Sequence, residues 1–263
     1  MAVDPTYQAL PFQEAVAFLR AKVRLPSEVW EQLLREAHDW AFTVAGATKA
    51  EILAGLRDAV DKALADGATL AEFRKDFDQV VQKHGWSYRG KRGWRTAMIY
   101  RTNLSTAQNA GRYRQMTDPD ILAAKPFWLY RHGDSLVPRP KHLEWDGTVL
   151  PADHAWWTTH YAPNGWGCSC RVFALSRDEV EARELTIRNH APSGGTYEWA
   201  DPISGEIREI PVGIDPGFDY APGASLASDR ERILAGVLKR LPADLRALAE
   251  SEIQSAHNRD PEL

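Results

Sequence analysis

The stretch from Arg139 to Arg171 constrains this chain more than any other: R-P-K-H-L-E-W-D-G-T-V-L-P-A-D-H-A-W-W-T-T-H-Y-A-P-N-G-W-G-C-S-C-R. Proline fixes φ and glycine opens backbone conformations closed to other residues, so Pro138, Pro140, Pro151, Pro163, Gly147, Gly165 and Gly167 turn the chain repeatedly here. Trp145, Trp156, Trp157 and Trp166 are available to pack around the turns. A rigid module of low regularity is therefore expected. The same stretch holds both cysteines, Cys168 and Cys170, together with His142, His154, His160, Asp146 and Asp153.

That combination of sulfur, imidazole and carboxylate allows three chemistries. Zinc favours four thiolate or imidazole ligands in a tetrahedron, and His142, His160, Cys168 and Cys170 would supply such a set, with Asp153 or His154 as substitutes. The single Cys-x-Cys departs from the paired Cys-x2-Cys spacing of zinc ribbons. A nucleophilic cysteine would need a nearby base, for which His142 or His160 could serve, with Asp153 to orient it. No local signature of a cysteine enzyme surrounds the pair. The ordinary structural explanation is two small buried side chains beneath the tryptophans. A Cys-x-Cys disulfide would close a very small, strained ring, so free thiols or metal ligands are expected.

The 263 residues suffice for one large domain or two modest ones, and a 44% hydrophobic content suits a globular chain. Eight of the ten tryptophans fall between Trp86 and Trp199. A net charge of −4 argues against a general polyanion binder. The distribution is uneven, however: Gln79 to Thr117 contains no Asp or Glu, but it holds Arg89, Lys91, Arg92 and Arg95. Those four are candidate contacts to DNA or another acidic partner, with a solvated surface turn as the plainer explanation. There is no run of about 18 apolar residues to span a membrane. The opening residues lack the pattern of a signal peptide, which gives a cytosolic start as the expectation.

The first 84 residues read as helices. Phe12 to Val23 suits one that ends before Pro26, and the apolar stripe Val29, Trp30, Leu33, Leu34, Ala37, Trp40 suits a second. Thr48-x-x-Glu51 and Thr69-x-x-Glu72 are capping boxes opening helices over 49–66 and 70–84; Ser176-x-x-Glu179 and Ser228-x-x-Glu231 are two more. Trp94 to Met116 reads as a long helix, with Arg101, Asn103, Gln108 and Arg112 on its polar face. Arg101 and Arg112 are candidate ion-pair partners for Asp146 or Asp153. Strands are expected at 127–131, 148–150 and 171–174, a hairpin turning at Ser204-Gly205, and amphipathic helices over 229–240 and on to about 256. The class is α+β: a helical N-terminal region (1–84), an irregular β module with the Cys/His-rich loop (85–175), and a C-terminal extension of loops and helices (176–263).

Three blocks in order carry a family resemblance. Tyr100-Arg-Thr-Asn103 and Ala107-x-x-Ala110-Gly-Arg112 come first. The central block is Arg139-Pro140-x-His142, Asp146-Gly147, Leu150-Pro-Ala-Asp153 and Trp157-x-x-His160-Tyr-x-Pro163-Asn-Gly165-Trp-x-Cys168-x-Cys170-Arg171. Val212-Gly-Ile-Asp-Pro-Gly217-Phe-x-Tyr220-x-Pro222-Gly223 closes the set. Across about 95–223 the chain resembles the phage Mu F-like family, minor head or head-morphogenesis proteins of tailed bacteriophages. The departures are small: Ser169 stands where the family often has Arg, and His154 where a second acidic residue is common.

The resemblance implies a non-catalytic role in building a phage or prophage head, with portal and capsid proteins as partners and packaged DNA as a candidate third. It places the chain in the virion or procapsid, and in the host cytoplasm during assembly. It also implies a candidate structural zinc, since His142, Cys168 and Cys170 stand at positions suspected of binding metal. A metal-dependent nuclease and a zinc-stabilised DNA-binding protein are the alternatives that the residues leave open.

Overall fold

The computed structural model describes residues 12–133, 135, 137–227 and 230–259. It has the α+β organisation expected, with helices at both ends and a small sheet module between them that carries the Cys/His loop. Helix α1 (Gln13–Arg20) leads into β1 (Val23–Arg24), α2 (Ala37–Trp40) and β2 (Ala41–Phe42). The antiparallel pair α3 (Ala50–Ala65) and α4 (Leu70–His84) then packs Leu53, Leu56 and Val60 against Phe73, Phe77 and Val80. Thr69 caps α4 as expected: its hydroxyl accepts from Glu72 N–H at 3.3 Å, and the Glu72 carboxylate accepts from Thr69 N–H at 2.7 Å. Gly85, at φ +58°, ends the helix in the left-handed conformation that disfavours side chains.

The long helix α5 (Arg92–Met116) runs through the molecule, packing against α1, α3, α4 and the sheet. A short α6 (Pro119–Ala124) precedes β3 (Phe127–Arg131), the middle strand of a sheet ordered β4-β3-β5. Between them lie α7 (Pro140–Trp145), β4 (Val149–Pro151), α8 (Trp157–His160) and β5 (Arg171–Leu175). Both pairings of β3 are antiparallel, with Trp128 opposite Leu150 and Ala174. Side chains alternate between the faces of a strand. Trp128 and Tyr130 thus enter a tryptophan-rich core with Trp145, Trp156, Trp157 and Tyr161. Phe127 and Leu129 enter a second cluster, with Val149, Leu175 and Val180 of α9 (Arg177–Ala182). Burial on both faces explains why this strand is apolar without alternation.

The structure departs from the expected elements in three places. Val29–Trp40 is not a continuous helix; a single 3-10 turn (Trp30–Gln32) is followed by extended backbone at Leu33 and a left-handed Arg35 at φ +54° before α2. The chain is drawn out because β2 pairs in parallel with β1, Val23 opposite Ala41, and tertiary pairing overrides the helical stripe. Thr48 does not cap α3, whose N-cap is Lys49 without a side-chain bond. The hairpin of β6 (Thr196–Ala200) and β7 (Ile207–Pro211) has a wider loop than a Ser-Gly turn, because Asp201 Oδ1 accepts from the N–H groups of Ile203 and Ser204. Of the other boxes, Ser176 caps α9 as expected, whereas Ser228 lies outside the described residues.

Two final helices, α10 (Arg230–Arg240) and α11 (Ala243–Arg259), fold back on the N-terminal part. Ile233, Leu234, Val237 and Leu245 share a cluster with Val23, Leu25 and Leu33. A buried carboxylate joins the same parts of the chain: Asp39 accepts from Gly223 N–H at 2.9 Å and from the Ser225 backbone and hydroxyl at 3.2 and 2.8 Å. Burial pushes its pKa up to about 6.

Its neighbour His38 is stacked on Trp30 at 4.1 Å, with Nε2 donating to Leu33 O at 3.0 Å. Burial, with the nearby Lys22 charge, holds this imidazole down at about 3. The unfolded chain therefore takes up a proton near pH 6.5 that the folded chain refuses, and stability from His38 is lost as pH falls from 6.5 towards 3. Asp39 acts with the opposite sign between its ordinary value and about 6, and a His38 substitution leaves that contribution in place. His38→Gln is expected to shrink the stability difference between pH 7 and pH 5 by about 2 kcal/mol, read from urea midpoints at each pH. An unchanged difference would show that His38 protonates freely in the folded protein.

Candidate metal centre

Local backbone rules place the three side chains of the centre. Pro140 at the start of α7 has no N–H to waste, and the turn that follows presents His142 and Trp145 on one face, three residues apart. Their rings stack at 5.1 Å with 22° between planes. The cysteines arrive on the segment before β5, whose backbone at Ser169 presses against Gly133; a Cβ at Gly133 would collide with the Ser169 carbonyl. Ser105 of α5 steadies the loop by donating to Cys168 O at 3.2 Å.

His142 Nδ1 lies 3.7 Å from Cys168 Sγ and 3.5 Å from Cys170 Sγ, and the three ligand atoms all fall within 4.8 Å of one another. His142 and Cys170 are buried and Cys168 is half-buried. The other ring nitrogen, Nε2, is 2.9 Å from Gly213 O and donates to that carbonyl. This contact fixes the tautomer: the proton sits on Nε2, and the Nδ1 lone pair faces both sulfurs. The two thiols influence each other strongly. The hydrogen bond between them holds the Cys170 thiol below its ordinary value and pushes Cys168 up.

The arrangement suits zinc on its own geometry. Zn–S bonds of about 2.3 Å and Zn–N bonds of about 2.0–2.1 Å, at a tetrahedral angle, separate S and N by about 3.5 Å. The two S···N distances of 3.7 and 3.5 Å match that separation. Thiolate, thiolate and neutral imidazole is a zinc-favouring donor set, and the Nε2–Gly213 bond is the outer contact that orients a ligating histidine. Three protein donors leave one position of a tetrahedron to water or another group.

The remaining residues singled out from the sequence lie elsewhere. His160 does not join the group; it stacks on Trp156 at 4.6 Å, meets Trp145 edge-on, and exchanges a hydrogen bond with Thr159. Burial lowers its pKa to about 4, so it serves as a neutral wall of the tryptophan core. His154 turns its Nδ1 to accept from Trp156 N–H, and Asp153 is exposed. Of the basic cluster, Arg89 and Lys91 are exposed, while Arg92 pairs with Asp78. Arg95 turns inward to donate to Ala45 O. Arg112 lies over the Phe173 ring at 5.0 Å, and Asp146 is engaged by Arg131 and by His132 N–H.

Sequence reasoning passed over Gly213 and Asp215 as parts of the centre. Asp215 pairs with Arg139 at 2.7 Å and accepts from Trp166 N–H at 2.9 Å, which joins the 212–217 segment to the start of α7 and to the cysteine loop. Gly165 has no room for a Cβ between Arg139 and Asp215. Their only signal was that Val212–Gly223 formed one of the three resembling blocks.

With this geometry in place, the comparison with known proteins is specific. Residues 54–173 match the family described as Phage Mu protein F like protein. This stretch is a Mu F-like region. It contains α5, the whole three-stranded sheet up to Phe173, and all three members of the centre. The chain is 32% identical to the "Putative capsid assembly protein F" of Escherichia phage Mu, over 97% of its own length and 64% of that protein. It is 38% identical to the "Mu-like prophage FluMu F protein" of Haemophilus influenzae, over 87% of its length and 60% of that protein. The chain thus spans less than two thirds of either relative. The Mu F-like likeness has no counterpart among solved structures, none of which matches significantly.

Proposed function

We propose that this chain is a structural, non-catalytic component of phage or prophage head assembly, acting in the procapsid or virion with portal and capsid proteins. The observation that carries the reading is its likeness, over 97% of its length, to a phage Mu protein named as a putative capsid assembly protein. The rigid tryptophan core and the ties of Asp39 and Asp215 across the chain support it, since a docking part must hold its surfaces in fixed relation. Arg89 and Lys91, exposed on the turn before α5, are the cations offered to an acidic capsid surface or to packaged DNA. In a prophage encoding this chain, in-frame deletion is expected to abolish DNA-filled heads while tails still form, counted by electron microscopy after induction. Normal yields of filled heads would overturn the proposal.

Within the same reading, His142, Cys168 and Cys170 hold one structural zinc. The metal's contribution is to clamp α7 to the cysteine loop, so that binding energy becomes folding energy. Protein purified without chelator is expected to carry a single zinc by elemental analysis, and Cys170→Ser to lose it. With free zinc about 100-fold above its dissociation constant, chelation should cost about 2.7 kcal/mol of stability. A zinc-free protein whose urea midpoint ignores added zinc would refute the assignment.

A further inference from the structure

A cavity of about 330 Å³ opens between the Lys22–Ala45 stretch, one face of α5, and the chain around Trp166 and Phe218. That is the lower end of the size range for small-molecule sites. Several polar atoms of its lining residues lack a partner. Arg95 Nε, Thr102 Oγ1 and Trp30 Nε1 are buried without a hydrogen-bond partner among the described residues. Lys22, only 6% exposed, borders the same space; its ammonium sits 4.1 Å above the Phe18 ring. It lies near enough to His38 and Asp39 to affect both.

The acidic groups nearby do not satisfy these donors. Asp39 spends its oxygens on Gly223 and Ser225, and no side-chain bond ties Glu31 to any of the donors. His38 has its Nε2 committed to Leu33 O. Buried donors left unpaired are costly, so Arg95, Thr102 and Trp30 favour acceptor oxygens brought from outside the chain.

Trp94, Trp166, Trp30 and Phe218 give the lining a flat aromatic part. Trp166 meets Trp30 at 4.4 Å and Phe218 at 5.3 Å, edge to face, and remains 39% exposed. Trp94 borders the same space and is 58% exposed, a high value for so large an apolar side chain. Exposed indoles beside buried cations form a stacking surface next to an anion site.

We propose that this cavity binds a small organic anion: an acidic oxygen group directed at Lys22, Arg95 and Thr102, carried on a flat apolar body that rests against Trp94 and Trp166. The inference goes beyond head assembly and does not depend on it. A phosphate on a nucleoside and a carboxylate on an aromatic ring share this chemistry, and the two are separated by the probes used. Titration calorimetry of the full chain with AMP and with indole-3-acetate, against adenosine, 3-methylindole and inorganic phosphate, reads the site directly.

At least one of the two acids is expected to bind one-to-one and at least tenfold more tightly than both its neutral counterpart and inorganic phosphate. The acid that does so names the source. Trp94→Ala and Thr102→Val, neither of which opens a large hole in the core, are each expected to weaken that binding by about threefold to tenfold, and Lys22→Met by more. Neutral compounds or bare phosphate binding as tightly as the acids, binding untouched by Trp94→Ala and Thr102→Val, or no binding of either acid at millimolar concentration would each overturn the proposal.

Discussion

Trp145→Ala should cost the protein about 3–5 kcal/mol, the range for a large aromatic removed from a core. Only 1% of Trp145 is exposed, and its ring is enclosed by Tyr130, Trp156, His142 and His160 at centroid distances of 5.0 to 5.8 Å. Such a wall of large rings, fixed by the sheet and by α7 and α8, cannot close over the hole. Small domains have about 5–15 kcal/mol of stability in total, so this one change removes a large share. Urea unfolding reads the loss, with Trp94→Ala as the control, expected within about 0.5 kcal/mol because its ring is 58% exposed.

The same substitution should reach the cysteines. The His142 ring rests on Trp145, and with that support gone Nδ1 no longer faces the two sulfurs. Alkylation of Cys168 and Cys170 in the native protein should accelerate, while the control variant leaves it unchanged. A loss below about 1 kcal/mol would mean that the ring cluster relaxes freely, contrary to dense packing.

Asp39→Ala is the second large effect, expected at about 3–5 kcal/mol, as for breaking a buried charged network from one side. The change leaves the Gly223 and Ser225 N–H groups and the Ser225 hydroxyl unpaired, and it takes from buried Lys22 a compensating charge. Asp39→Asn should cost clearly less, because an amide oxygen in place of Oδ2 still accepts both Ser225 hydrogen bonds and no cavity forms. Hydrogen exchange at the Gly223 and Ser225 amides checks the mechanism: it should rise in Asp39→Ala more than at amides of α4. Equal losses for the alanine and asparagine variants would refer the effect to the charge on Lys22 alone.

Much of the fold could be read from local chemistry, and the reason lies in particular residues. Helix α4 announced itself through Thr69 and Glu72, a short-range capping device that forms in the structure as expected. Strand β3 stood out as four apolar residues in a row, which needs cover on both sides and finds it. The Val29–Trp40 stripe misled because its apolar residues face different partners: Leu33 packs with α10 and α11, and Trp30 with Phe218 and Trp166. Periodicity records that a residue is buried, and it does not record against what.

The site divides in the same way. Composition alone marked Arg139–Arg171 as a stiff, ligand-rich module, because prolines, glycines and tryptophans act through their own covalent shape and need no distant partner. Choosing among His142, Asp153, His154 and His160 was beyond it. That choice rests on Trp145 stacking, on Gly133 admitting the Ser169 backbone, and on Gly213 accepting from His142 Nε2 across 71 residues of sequence. The contact made by a histidine's other nitrogen sets where its free nitrogen points, and the folded chain supplies that contact to His142 from a distant loop.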